Sequence, residues 1–344
     1  MPLPQTLPGT MHVAAGPQGL SHLGGIMLCL LLLLLVSLAS LMLGAKSIPP
    51  AVVWQSLCGQ LDNADSIIIL NARLPRTLAG LLVGVALGGG GAVIQALTRN
   101  PLADPGILGV NAGASFAIVM GITLFGVSSM AGWLVFAWGG SLLASMAVWA
   151  IGMLGAGRMN PLRLTLAGVA LSAVLGGLTS SLSLLNPQTL DQLRFWQAGT
   201  LDIRSLPNLL LVTPAIVGGA LLALVASRSL NSLSMGEEIA AALGTRVVLV
   251  RLLSLLAVML LCGSATALVG PIGFVGLMVP HMARWWVGSD RRWILLYSFL
   301  MAPLLLLTAD IAGRFLVPGE LRVSIVTALI GAPVLIWLVR QRKN

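Results

Sequence analysis

Ten acidic side chains, three histidines and three cysteines are the groups in this 344-residue chain best suited to metal ligation or to acting as the base beside a nucleophile. They form no working constellation. Cys29, Cys58 and Cys262 share no spacing motif, so neither a disulfide framework nor a metal site is implied. His281 stands alone just beyond Pro280, and a lone histidine at a helix end is more often a cap or surface contact than a ligand. The acids Asp62, Asp65, Asp104, Asp191, Asp202, Glu237, Glu238, Asp290, Asp310 and Glu320 fall in loops or at the ends of apolar stretches. Asp310, placed just after the ninth stretch, comes nearest to burial. A proton- or sodium-driven carrier usually keeps ionisable groups near the bilayer midplane. The inventory therefore predicts no catalytic residue, no metal and no cofactor, and a protein whose energy comes from elsewhere.

The elements that must position these groups are membrane helices. Only 8% of the residues are charged, 57% are hydrophobic, and the mean hydropathy is +0.99. Those values exclude an ordinary water-soluble domain. Ten apolar stretches are long enough to read as spans, at 26–45, 77–97, 106–127, 132–154, 164–185, 207–226, 252–269, 274–287, 293–308 and 323–339. The eighth is short and follows Gly270-Pro271-Ile272-Gly273, which predicts a broken or tilted helix. The short alternating segments of about ten residues that mark a transmembrane barrel are missing. The expected class is an all-α polytopic membrane protein of about ten helices, with a lead segment at 1–25, a membrane domain at 26–339 and a tail at 340–344.

An even number of spans puts both termini on one side. If that side is cytoplasmic, 12 of the 19 Lys and Arg residues face inward and 7 outward, in line with the positive-inside rule. The net charge of +9 is then a topology signal, and no basic and aromatic surface suggests nucleic acid. The lead has no Lys or Arg, so the first span reads as an uncleaved anchor.

Arginines on the outer side run against that trend. Arg73 and Arg76 open the second span, and Arg314 and Arg322 flank the ninth and tenth. Guanidinium pairs bidentately with carboxylates, so a docking protein or an anionic solute is one reading. Headgroup contact or pairing with a local Asp is the other. Gly80, Gly84 and Gly88 form a small-residue ladder best read as helix packing. On the inner side, 228–246 is the longest interruption. There Ser234-Met235-Gly236-Glu237 fits a capping box, Ser234 as N-cap and Glu237 at N3, opening a short helix through Ala241 and Leu243 that Gly244 stops. Such a helix is too short to stand alone in water and needs either its own protein or a partner.

Several ordered motifs resemble the FecCD family of ABC importer permeases. They are Arg73-Leu74-Pro75-Arg76, Arg99-Asn100-Pro101-Leu102-Ala103-Asp104-Pro105 with Leu108-Gly109-Val110, Leu166-Ala167-Gly168, Ala242-Leu243-Gly244, Gly270-Pro271-Ile272-Gly273-Phe274 running to Pro280-His281, and Gly331-Ala332-Pro333-Val334. The resemblance implies a type II, cobalamin-importer-like permease of ten helices, paired with a second homologous permease. It implies a dimer of cytoplasmic ABC ATPases, a periplasmic binding protein, and a place in the bacterial inner membrane among its lipids. It assigns the ATPase contact to the coupling loop, here Ser234, Met235, Gly236, Glu237, Ala241, Leu243 and Gly244. It assigns docking of the binding protein to Arg73, Arg76 and Arg314, with Arg322 beside them. Three stretches, Asn111 to Val119, Asp191 to Gly199 and Val317 to Arg322, resemble the siderophore permeases within that family, and this closer resemblance implies ferric siderophores as cargo, ferric enterobactin first. Another siderophore, haem or cobalamin is the alternative cargo, and a proton-coupled secondary transporter the alternative class.

Overall fold

Lipid offers a backbone no hydrogen-bond partner, so a chain this apolar satisfies its amides within helices. A computed structural model describes residues 22–153, 161–185, 187–317 and 319–341, and these contain helices and connections without a strand. Residues 1–21 of the expected lead, Arg158, and 342–344 of the expected tail lie outside the described residues.

The chain opens with α1 (His22–Met42) and two short helices, α2 (Pro50–Leu57) and α3 (Ala64–Ile68), at the end that the charge bias assigns to the exterior; outer and inner below follow that expected orientation. A π-helical turn, Ile69–Arg73, joins α3 to α4 (Leu74–Thr98) without a break. After a 3-10 turn at Pro105–Leu108 come α5 (Val110–Phe125), α6 (Met130–Met153), α7 (Pro161–Leu184) and the short α8 (Pro187–Gln197). The rest is α9 (Leu206–Ser234), α10 (Glu237–Ala242), α11 (Val247–Val269), α12 (Val275–Val287), α13 (Arg291–Leu316) and α14 (Val323–Gln341). Each of the ten expected spans is occupied by a helix. Among the described residues, seven helices are long and apolar enough to cross a membrane by themselves; α5, α12 and α14 fall short.

The broken eighth span has a physical cause. With 13 residues, α12 rises only about 20 Å, against a hydrocarbon core of about 30 Å. The extended segment 270–274 completes the passage, and its polar backbone must be paired inside the protein. Thr200 N donates to Val269 O at 2.9 Å just before it. Within α12, Gly276 O would normally accept from residue 280, but Pro280 has no N–H. Gln95 of α4 supplies the missing donor: its Nε2 reaches Gly276 O at 3.2 Å and Leu277 O at 3.1 Å.

At the centre lies α4, buried along nearly its whole length and packed against α9, α11, α12 and α13. The glycine ladder faces α13. A Cβ on Gly84 would lie 2.3 Å from Pro303 Cα, and one on Gly88 2.5 Å from Ser298 O. These are backbone contacts that no rotamer change can relieve. Gly84→Ala should therefore destabilise the protein by about 1–3 kcal/mol, the usual cost of overpacking, read as a lowered unfolding temperature in detergent. An unchanged midpoint would mean that α4 and α13 slide apart freely.

Candidate functional site

Two polar clusters interrupt the apolar bundle, one at each end. At the outer end, the π-helical turn and the first turn of α4 bring Arg73 and Arg76 to the same place as Asp310 and Arg314 of α13. Arg76 grips Asp310 with Nε at 3.0 Å and Nη2 at 2.9 Å, and its Nη1 reaches Glu320 Oε2 at 2.7 Å. Arg314, four residues after Asp310, donates from Nη2 to Oδ2 at 2.7 Å, the oxygen that also accepts from Arg76 Nε. Asp310 is thus not beyond its span as the sequence suggested. It lies inside α13, which continues to Leu316, and is fully buried because two guanidinium groups match its charge.

The same arginines end α1. The last carbonyls of a helix have no intrahelical donor, and cations there oppose the helix dipole. Arg314 Nη1 donates to Ser40 O at 2.7 Å and Leu43 O at 2.6 Å. Arg73 donates to Leu41 O at 2.8 Å, to Met42 O at 2.7 Å, and to Lys46 O. Ser40 and Thr77 join their hydroxyls at 2.9 Å beneath. Three of the four predicted outer arginines therefore sit together, buried and internally paired. The fourth, Arg322, is apart: it donates to Phe195 O at 2.8 Å and stands 5.0 Å over the Phe195 ring. An outer cavity of about 400 Å³ opens onto the cluster, with Lys46, Arg73, Arg76, Arg204, Arg314 and Glu320 in its walls.

At the inner end, α9 runs to Ser234, whose hydroxyl turns back to donate to Asn231 O at 2.6 Å. This overturns the capping box. The short helix α10 starts at Glu237, its N-cap is Gly236 at φ +129°, and no side chain caps it. Glu237 pairs instead with Arg251 of α11. The stop was legible: Gly244 adopts φ +80°, Thr245 N bonds to Ala240 O and Gly244 N to Ala241 O, which is a Schellman motif. Ala240 is fully buried, whereas Met235, Ile239 and Leu243 are 65%, 50% and 64% exposed. Ile239 and Leu243 are four apart and share one helix face, so an apolar face looks out from the inner side.

Sequence reasoning missed three features. Asn231 bridges the inner loops, donating to Asp290 Oδ1 at 2.8 Å and accepting from Arg291 N at 2.8 Å. Burial alone would raise the Asp290 carboxyl, but the bonds from Asn231 and from Arg292 N hold it below its ordinary value. Its stabilising contribution is therefore full above the usual carboxylate pKa of about 3.9 and lost as pH falls through the lower folded value. Glu320, at φ +59°, was not linked to Arg76. The helix α8 was read as a loop, although Leu190, Leu193 and Trp196 recur every three residues and Pro187 stands at its start.

Taken together, an all-helical bundle with a buried ionic knot at one end and a projecting apolar helix at the other is a polytopic membrane transport subunit. The FecCD transport family profile matches residues 31–341, and the chain belongs to that family. It is 61% identical to the ferric enterobactin transport system permease protein FepD of Escherichia coli K12, over 91% of this chain and 94% of that one. It is 39% identical to the hemin transport system permease protein HmuU of Yersinia pestis, over 92% and 95% respectively. Among solved structures it matches a metal-chelate type ABC transporter in an inward-facing conformation, with TM-score 0.79, 31% identity, and coverage of 93% of this chain and 99% of that one.

Removing the Asp310 charge while keeping its shape isolates the knot. Asp310→Asn leaves two buried guanidinium groups undercompensated and should cost about 3–5 kcal/mol. Lys46→Ala breaks a surface pair whose lysine is 63% exposed, and should cost less than about 1 kcal/mol. Unfolding midpoints in detergent compare the two, and equal losses would refute the ranking.

Proposed function

We propose that this chain is a membrane-spanning permease subunit of an ATP-driven importer of ferric siderophores, with ferric enterobactin as its cargo. The observation that carries this reading is the 61% identity to the enterobactin permease over 91% of the chain. The subunit lies in the bacterial inner membrane with both termini in the cytoplasm, the orientation the charge bias favours. It pairs with a second, homologous permease. Apolar side chains along α7, such as Leu166, Val169 and Val174, are left uncovered for that subunit or for lipid.

A pair of cytoplasmic ATPases engages α10. A six-residue helix with an apolar outer face would be costly to leave in water, and a nucleotide-driven partner gives that face a cover. On the other side, a periplasmic binding protein docks over the outer cavity. Arg73, Arg76 and Arg314 form its floor, so an incoming carboxylate meets positive charge already held in place. The exchangeable partner is Glu320, whose side chain is 40% exposed, and Arg322 stands beyond it. Closure of the ATPases moves α10 and, through α9 and α11, exposes the pathway between the two permeases alternately to each side.

Three measurements test the parts. Cells lacking this chain should lose uptake of radio-iron-loaded enterobactin but not of ferrichrome or cobalamin, and the gene should restore it; loss of a different cargo would replace the substrate. Ala241→Pro removes an α10 hydrogen bond at a cost of about 3 kcal/mol, and Leu243→Asp charges its exposed face without breaking the helix. Both should uncouple ATP hydrolysis from uptake, and normal coupled uptake in the two variants would sink the assignment of α10. Arg322→Glu should weaken capture of the loaded binding protein while leaving the buried knot intact; unchanged affinity would remove Arg322 from the docking surface.

A further inference from the structure

A third cluster of polar side chains lines a cavity of about 620 Å³ between α5, α7 and α8. Its walls include Ser115 of α5, Thr179, Ser180 and Ser183 of α7, and Arg194 and Gln197 of α8, with no acidic residue among its described lining. A lipid-facing groove does not carry hydroxyl, amide and guanidinium groups together, so this surface faces water, a solute or the second permease. Two of its hydroxyls donate to the backbone of their own helix, Thr179 to Leu175 O at 2.7 Å and Ser183 to Ser180 O at 3.0 Å, while Ser115 Oγ accepts from Gln197 Nε2 at 3.4 Å. Thr179 and Ser183 therefore offer a solute acceptor oxygens rather than donors. Arg194 differs. Every other described outer cation has a partner: Lys46 has Asp65, Arg76 and Arg314 have Asp310, Arg204 has Asp202, Arg73 has backbone carbonyls, and Arg322 has Phe195 O. Among the described residues, Arg194 alone on that side has an unpaired guanidinium, exposed at the cavity.

We propose that this cavity is part of the wall this subunit gives to the cargo path and that Arg194 is its charge-selecting residue, drawing an anionic metal chelate off the binding protein and onto a wall that does not hold it. The inference rests on the siderophore reading above and names the residue that recognises that cargo. A ferric tris-catecholate fits the chemistry, because its deprotonated oxygens outnumber the charge of the ferric ion and leave an anion with few hydrogen-bond donors. A single positive group attracts such a complex over several ångströms, whereas a ring of them would trap it.

The test uses the assembled importer in cells and in proteoliposomes. With iron-loaded enterobactin, Arg194→Gln should raise the half-saturating concentration of loaded binding protein for uptake, or lower maximal uptake, by about tenfold, the scale of one lost charge interaction at a partly exposed site. Arg194→Lys should restore most of it, and the wild-type advantage should shrink at high salt. Binding-protein capture and basal ATP hydrolysis should stay at wild-type levels. Independently, Ser180→Cys in a chain also carrying Cys58→Ser should react faster with an anionic than with a cationic thiosulfonate, and Arg194→Gln should abolish that preference. If wild type carries no ferric siderophore, the parent reading fails. If it does and Arg194→Gln equals it, or if the variant loses binding-protein capture instead, the charge-selecting role is overturned while the parent reading stands.

Discussion

A charge inside a membrane bundle is tolerable only when it is matched at close range, because removing it from water costs several kcal/mol that a poor partner does not return. Asp310 imposes this condition on the outer half of the protein. Its two oxygens need Arg76 from α4 and Arg314 from its own helix, and those arginines then reach further. Arg314 ends α1, and Arg76 holds Glu320 and with it the connection to α14. One carboxylate thus fixes α1, α4, α13 and the loop after it in a common frame. The cluster contains three guanidinium groups against the carboxylates of Asp310 and Glu320, and Arg73 rests on carbonyl dipoles rather than on a counter-ion. The outer surface is therefore electropositive even with every internal bond made.

The inner end is built on the opposite plan. There α10 is held by one buried alanine, one ion pair and a left-handed turn, and its remaining surface faces outward. What ties it to the bundle is its two neighbours, α9 and α11, which pack on each other and on α4. The helix that bears the outer knot is thus the one on which the inner loop's flanking helices rest. A rigid outer frame and a lightly held inner helix joined through one central element suit a protein whose two ends answer to different partners.

How much of this was readable in advance follows from the range of the interactions involved. The ten spans were legible because lipid enforces a local rule, helix or nothing, that leaves its mark in every twenty residues. The stop at Gly244 was legible because a left-handed residue is a one-position requirement. The helix start was not: Ser234 and Glu237 have the spacing of a capping box, but α9 continued two turns past its apolar stretch and took Ser234 with it. The ionic knot was least accessible, since Arg76 finds Asp310 at a separation of 234 residues and Glu320 at 244. Nothing local distinguishes an arginine that docks a partner from one that ends a helix. The motif resemblance singled out these arginines, and only the fold shows that three of them already have internal partners.

The same rule separates scaffold from pathway. Where the bundle must hide a backbone carbonyl, a side chain can supply its donor, as where Gln95 Nε2 replaces the N–H that Pro280 lacks and allows the backbone to break at 270–274 without an orphan carbonyl at Gly276. Gln95 and Gly276 lie on α4 and α12, two of the helices that are packed on most sides. Polar groups left facing outward gather on α5, α7 and α8, where packing is thinner and Pro271 of the broken segment joins the wall. In water such groups would be unremarkable. Within a membrane, hydroxyls beside an unpaired guanidinium persist only where solvent or a partner subunit covers them, which is the environment that a path between two permeases supplies.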